Sequence, residues 1–536
     1  MKPKLFEMIK KGEITRESLT KDFISGVIVA IIALPLSVAL GISSGVSPEK
    51  GLITAIIAGF FISLLGGSTV QIGGPTGAFV VIVYGIIATY GVQGLIVATI
   101  MAGIIMILLG LFKMGRFIKF VPYPITIGFT AGIAVTLFST QIKDFLGMNI
   151  ENIDASFIGK WSAYFSNLDK INYVSLILGV VSILIIVNFK RISDKIPGSL
   201  VALVVTTLVV YIFKIPVPTI GSSFENLSSS ITLTSFEGVD FNMIKSLIGP
   251  AFTIAFLASI ESLLSAVVAD SMTGDKHDSN MELVAQGIAN IFSGLFGGIP
   301  ATGAIARTAA NVKNGGTSPV SGMVHAAVLL LIMLMFLPIA KLIPMTTLAA
   351  ILIVVSYNMA EIKNFKALLK APKSDVVLLL VTFILTVVFD LVLAIEIGMV
   401  LAAFLFIKNM CDATDIKVVK NIESGDGYTN RQLSSITYMV NGPLFFGVVQ
   451  NLIEDIKKDS LRYGQISIDM GNTYSIDSSG IDALNKIKNI CIKRGIRLRV
   501  LNLHDQPQHA LKKIGFLELS ENNVYISYQE PFKINA

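Results

Sequence analysis

The sequence predicts an α-helical protein that crosses a membrane many times as two inverted halves, followed by a small α/β domain. Three observations carry this. Of 536 residues, 53% are hydrophobic and only 15% charged, and the mean hydropathy is +0.74. A water-soluble chain of that composition could not cover its surface with polar groups. The apolar residues gather into two series of seven runs, parted by one long polar stretch. Finally, Gly297–Gly316, GGIPATGAIARTAANVKNGG, nearly repeats the upstream segment Gly73–Val83, GGPTGAFVVIV, with Ile299 and Ala301 as extra residues in the second copy.

In chain order, residues 1–22 read as a cytoplasmic amphipathic lead-in carrying Lys2, Lys4, Lys10, Lys11, Arg16 and Lys21. No small-residue cleavage site follows, so the first apolar run is expected to be a retained span rather than a signal peptide. The first membrane repeat, 23–213, holds runs at 24–43, 50–66, 76–91, 93–112, 122–146, 172–189 and 198–213. A polar extracytoplasmic loop is expected at 214–243. The second repeat, 244–410, holds runs at 245–269, 281–296, 302–312, 319–339, 344–358, 375–393 and 395–408. Fourteen spans return the chain to its starting side, with both termini cytoplasmic. The basic clusters Lys113/Arg116/Lys119, Lys190/Arg191/Lys195 and Lys363/Lys366/Lys370/Lys373 then all lie on that side, as the positive-inside rule requires. They flank spans, so they do not point to nucleic acid. Seven spans per half invert the second half relative to the first.

The two Gly-Gly-Pro-Thr-Gly-Ala copies open the third and tenth spans, read as half-helices. The run at 302–312 is too short for the roughly 20 residues a full crossing needs. Each is preceded by non-helical residues, and such a break survives in lipid only where it lines an enclosed cavity. From 415 to 532 short apolar strands alternate with amphipathic helices, a soluble α/β domain with an early loop at 421–432.

A helix N-terminus offers free N–H groups and about half a positive charge. Two such termini converging near mid-membrane form an anion site without a full charge. Gly77, Ala78 and Phe79 on one side and Ala304, Ile305 and Ala306 on the other are therefore the candidate anion-binding residues, with side chains mostly small enough to admit a ligand to the backbone. Phe79 is placed to close one wall. The alternative role for small residues is close helix packing. Arg307 follows one turn in, and helical side chains lean toward the N-terminus, so its guanidinium is expected to lean back to the ligand. Gln141 of the fifth span is a weaker candidate.

Glu261 stands in the middle of the eighth span, 41 residues before Thr302, just as Pro35 precedes Thr76. An ionisable residue inside a span is a functional candidate by default. Glu261 is the expected carrier of the coupling ion, either H⁺ or Na⁺; Ser265, Thr302 and Gly303 would complete a Na⁺ site. A fixed ion pair with Arg307 is the alternative. His325 reads as structural, His277 as a loop residue, and Asp390 and Glu396 as flanks of an exposed turn. The sequence has no Walker A motif, no Ser/His/Asp set, no metal-ligand cluster and no disulfide framework, since Cys411 and Cys491 are the only cysteines. An enzyme or ATP-driven pump is not expected, nor any cofactor beyond the coupling ion. In the C-terminal domain Asp477-Ser478-Ser479-Gly480 opens a helix, as an ordinary N-cap or as a regulatory phosphosite at Ser478.

The segments LPLSVALGISSGVSPEKGL, GGPTGAF, PITIGFTAGIAVTLFSTQ, ESLLSAVVADSMTG, GGIPATGAIARTAANVKNGGTSPVSG and DLVLAIEIGMVLA, in this order, resemble the SulP (sulfate permease-like) family of anion transporters. The C-terminal domain resembles the STAS domain that follows such transport domains, and its DSSG is similar to a phosphorylatable segment. The resemblance implies a membrane domain divided into core and gate, an elevator-like motion and a homodimer. It also matches Glu261 to an acidic residue of cation-coupled members. The expectation is secondary active symport of a small anion (bicarbonate, sulfate or a dicarboxylate) across the plasma membrane. An uncoupled exchanger or channel and a nucleobase symporter are the alternatives, and a cytoplasmic protein partner is expected at the STAS domain.

Overall fold

The computed structural model describes residues 1–116, 122–150, 153, 156–189, 191–192, 197–224, 228–236, 238–389, 391–421, 435–516 and 524–528. Lys119, Lys190, Lys195, Asp390 and all but the first residue of the expected 421–432 loop lie outside them. The chain forms two compact units, 1–399 and 400–536, parted inside the last membrane helix.

In the first unit the elements are α1 (Lys4–Lys11), α2 (Arg16–Ser43), α3 (Pro48–Leu65), β1 (Gly73–Gly74), α4 (Phe79–Leu111), α5 (Tyr123–Phe145), α6 (Phe157–Ser166), α7 (Tyr173–Phe189), α8 (Gly198–Phe213), α9 (Ile220–Ser223) and α10 (Phe241–Ser246). The second repeat continues with α11 (Ile248–Thr273), α12 (Ser279–Leu295), β2 (Thr302–Gly303), α13 (Ile305–Lys313), α14 (Val320–Ala340), α15 (Met345–Met359), α16 (Ile362–Leu368), α17 (Lys373–Val388) and α18 (Leu391–Asp412). All fourteen apolar runs are helical over most of their length. Among the described residues six helices are long and apolar enough to cross a membrane, and three more are apolar but shorter.

The differences from expectation have local causes. Helix α2 starts at Arg16, inside the expected lead-in, because Thr15 and Ser18 cap each other reciprocally: Ser18 N–H donates to Thr15 Oγ1 at 3.2 Å and Thr15 N–H to Ser18 Oγ at 2.9 Å. The third and fourth runs form one element, α4, broken only at Gly91, whose φ of 68° and ψ of −174° are open to glycine alone. The stretch 147–171 between the fifth and sixth runs contains α6, and the loop expected at 214–243 contains α9 and the start of α10, with Thr219 pairing with Pro344.

The packing exchanges the halves. α2 packs on α14 as α11 packs on α4, and α3 packs on α14 as α12 packs on α4. These helices form one group, the core. In the other group, the gate, α5 packs on α17 and α15, and α7 on α15 and α8. Apart from the α7–α8 contact, each of these has a counterpart with the repeats exchanged, which is what inverted duplication requires. Helices α4 and α12 cross at Gly103 and Gly287, where a β-carbon on either would sit 2.5 Å from the other's carbonyl oxygen. Small residues let membrane helices approach to this distance.

The second unit carries a five-stranded sheet ordered β3 (Asp415–Asn421), β4 (Ser435–Asn441), β5 (Gln465–Asn472), β6 (Arg497–Leu503) and β7 (Val524–Tyr528). β3–β4 is antiparallel and the remaining pairs are parallel. The helices α19 (Phe446–Asp459), α20 (Ser478–Lys493) and α21 (Asp505–Lys513) follow β4, β5 and β6. Ile436, Tyr438 and Val440 alternate inward along β4 and pack with Leu452, Leu484 and Ile487 of the helices. The end of α18 belongs to this unit, where Thr414 Oγ1 donates to Pro443 O at 3.2 Å.

Candidate functional site

The two duplicated breaks meet. Gly73 pairs with Gly303 and Gly74 with Thr302 in a two-stranded antiparallel ladder, extended by Ala304 N–H donating to Ile72 O at 2.9 Å. Backbone polar groups stranded among apolar spans must be satisfied internally, and here each repeat satisfies the other. The ladder is flanked by the starts of α4 and α13. Neither helix start has a side-chain cap. At α4 the N–H groups of Phe79 and Val80 turn back onto Thr76 O and Gly77 O, at 3.3 and 3.2 Å, and Gly77, Ala78 and Phe79 are buried. At α13 Ala304 is buried, but Ile305 and Ala306 are exposed.

Arg307 is buried to 1% exposure yet has no carboxylate partner among the described residues. It reaches across to the first break instead. Its Nη2 donates to Pro75 O at 2.9 Å and its Nη1 to Gly73 O at 3.3 Å, with Ser37 Oγ at 3.5 Å from Nη2. Gly74, at φ 151°, must be glycine on a second count: a β-carbon would collide with the guanidinium. The arginine expected to lean on a ligand therefore leans on the carbonyls that form the opposite wall. The expected alternative, an ion pair with Glu261, is not formed.

Glu261 makes the reciprocal connection. Its Oε2 accepts a hydrogen bond from Thr76 Oγ1 at 2.9 Å, and among the described residues its Oε1 accepts none. So the second half reaches Ser37 on the first helix of repeat one, and the first half reaches Glu261 on the first helix of repeat two. The other coupling-site candidates have their hydroxyls engaged elsewhere. Thr302 Oγ1 donates to Ala258 O at 2.8 Å, and Ser265 Oγ lies 3.2 Å from Thr308 Oγ1. Gly303 is held against Gln71 and Ser262, with no room for a side chain. Gln141 is not brought to the breaks by its amide contacts. It bonds Ser43 and Thr140 near the C-terminal ends of α2 and α5, at 3.1 and 2.7 Å.

Sequence reasoning missed Glu282. It is fully buried near the start of α12, accepting from Gly67 N–H at 2.8 Å, Ser262 Oγ at 3.0 Å and Gln286 Nε2 at 2.9 Å. Gln71 Nε2 in turn donates to Ser262 Oγ at 3.0 Å. This network fixes the loop leading into the first break. Its signal was an acid on the apolar face of the 281–296 run, four places beyond the Asp278 cap. Of the two histidines, His277 bridges Asp270 and Ser279 at 2.6 and 2.9 Å, a structural role. Among the described residues no three His, Cys, Asp or Glu side chains gather as a metal site.

In the second unit Asp477 is the cap of α20, accepting from Gly480 N–H at 2.8 Å, and Ser478 is exposed at its first position.

The profile described as "Sulfate permease family" matches residues 19–382, and that of the STAS domain matches 428–530. The chain is 41% identical over 521 residues to the "Putative sulfate transporter YvdB" of Bacillus subtilis (strain 168), covering 96% of this chain and 97% of that protein. It is 32% identical over 464 residues to the bicarbonate transporter BicA of Picosynechococcus sp. (strain ATCC 27264 / PCC 7002 / PR-6), covering 81% and 80%. Among solved structures, the transmembrane domain of a cyanobacterium bicarbonate transporter BicA aligns with a TM-score of 0.65 at 31% identity, over 71% of this chain and 98% of that one. SLC26A9 aligns with a TM-score of 0.84 over 98% and 91%, and at 19% identity that likeness concerns the fold.

Proposed function

The chain belongs to the sulfate permease family of anion transporters, and from that premise we propose that it takes up a small inorganic or carboxylate anion together with H⁺ or Na⁺ held at Glu261. The observation that carries the reading is the pairing of Gly73–Gly74 with Thr302–Gly303. It sets two uncapped helix starts beside a carboxylate that no described cation neutralises. The exposed start of α13, at Ile305 and Ala306, presents first-turn N–H groups to an anion, and Phe79 walls the opposite side. Arg307 acts from behind the wall: its charge reaches the ligand through the polarised carbonyls of Gly73 and Pro75. The half-bonded Glu261, with Thr76 as partner, provides a place for a proton or a sodium ion to be taken up and released. Sulfate and bicarbonate, carried by the names of the relatives, are the first substrates to try.

Transport is by displacement of the core group, which bears both breaks, against the gate group, with both termini on the cytoplasmic side. Two copies pair, and the STAS domain regulates through a protein partner or through phosphate at Ser478, whose exposed place at a helix start suits an anion.

The test is uptake into proteoliposomes of bicarbonate, sulfate, fumarate and uracil, each with and without Na⁺ and pH gradients. Gradient-driven accumulation of at least one anion is expected. Uptake of uracil alone would sink the anion reading, and anion flux indifferent to both gradients would remove the coupling.

A further inference from the structure

We propose that the crevice between α8 and the α2–α3–α14 group is a lipid site, holding an acyl chain of an anionic glycerophospholipid whose phosphate rests on Lys214 and Lys341. The crevice encloses about 370 Å³ and is lined by Leu34 and Val38 of α2, Leu52 of α3, Leu203 and Val204 of α8 and Met333 of α14, with Thr207 supplying the one hydroxyl. Its α8 wall is the stripe 200, 203, 204, 207, 208, a helical face turned toward other helices but not sealed by them. Val204 and Leu208 remain 45% and 51% exposed. Interiors pack without voids of this size, so an open apolar volume at lipid depth is filled by something.

Charge selects the occupant. Lys214 directly follows the last residue of α8, and Lys341 directly follows the last residue of α14. The two helix ends are tied at one level: Ile220 N–H donates to Ile343 O and Gly221 N–H to Lys341 O, both at 2.9 Å. A second cavity, lined by Val210, Lys214, Thr219 and Leu342, adjoins the first through the 339–343 segment. Both lysines are exposed, and neither is in an ion pair among the described residues. At 1.5 Å per residue the α8 lining lies roughly 9 to 21 Å from Lys214. That brackets one leaflet's share, about 15 Å, of the hydrocarbon core. Cations at the interface above an apolar slot one leaflet deep match an anionic headgroup above its own chain. A second copy of this protein or a neutral apolar molecule would make no use of the lysines. Because α8 lies in the gate group and the other walls in the core group, the seated chain fills the gap between the two.

The experiment is native mass spectrometry of the purified full-length chain, released from mixed micelles of phosphatidylglycerol and phosphatidylethanolamine with identical acyl chains. The wild type is expected to retain phosphatidylglycerol about ten-fold over phosphatidylethanolamine, the scale set by two lysines near one phosphate. Lys214→Gln/Lys341→Gln should abolish that preference while leaving the melting temperature unchanged, since both side chains are exposed. Val204→Trp, which fills the slot and spares the lysines, should lower retention of both lipids. Equal retention of the two headgroups by the wild type would overturn the proposal. So would a preference that survives the double glutamine variant.

Discussion

The two breaks come from one sequence design but handle their backbones in opposite ways. The first is closed: Phe79 and Val80 turn their N–H groups onto Thr76 and Gly77, and its carbonyls at Gly73 and Pro75 are taken by a side chain from the other half. The second is open: α13 begins at exposed residues with no side-chain cap. It also owns the charged group, Arg307, and lies on the same repeat as Glu261, where the first repeat has Pro35. Duplication has thus preserved shape while dividing labour. One copy offers carbonyl acceptors, the other the charged donor that binds them.

The division can be broken most severely at Glu261. Glu261→Gln keeps the side-chain size and a bond to Thr76 but removes the titratable charge. Gradient-driven accumulation in proteoliposomes should fall to the equilibrium level while anion exchange persists; accumulation at the wild-type level would take Glu261 out of the coupling. Next comes Arg307→Ala, which removes the charge and strands two buried carbonyls. Anion affinity should drop about ten-fold, or 1.4 kcal/mol, and stability should fall by on the order of 1–3 kcal/mol. Arg307→Lys should restore affinity better than stability, because a lysine cannot fork to both carbonyls. If alanine weakens folding alone, the arginine is a strut and nothing more. Glu282→Ala probes the first break without touching charge at the second. Leaving three donors unpaired in a buried site should cost roughly 3 kcal/mol, seen as a lower melting temperature, with ion dependence unaltered in the surviving protein. The mildest change is Thr76→Val, which deletes one hydrogen bond to Glu261. A shift of a few-fold in the apparent affinity for the coupling cation is expected, near 1 kcal/mol. A substrate-affinity change of equal size would mean that the two sites overlap at this residue.

Much of this was legible before any coordinates. Glycine, proline and small residues in a repeated order interrupt apolar runs, and that pattern located both breaks and their correspondence. Glu261 and Arg307 stood out because charge inside a span is expensive. What escaped has physical reasons. The acceptors of Arg307 are main-chain carbonyls, which carry no side-chain signature, so its direction could not be read. Glu282 sits in the first turn of its helix, where an acid ordinarily complements the helix dipole in water, and only burial reveals it as an anchor. Gln141 spends its amide on Ser43 and Thr140, partners that its residue type does not announce. At Gly91 a single glycine with positive φ parts the third and fourth runs inside one continuous element, and composition does not announce that continuity.

The small ladder of Gly73–Gly74 with Thr302–Gly303 has a consequence for origins. Neither repeat contains a complete pair of strands, and the side chains at the site point from each repeat into the other. A forerunner with only one repeat would have had to meet a second, upside-down copy in the same membrane to close the ladder. Insertion in both orientations would then have preceded the fusion that placed the two copies on one chain. Splitting the chain within the 228–236 stretch and co-expressing the halves reproduces that ancestral situation, with recovered transport measuring how much the covalent link contributes.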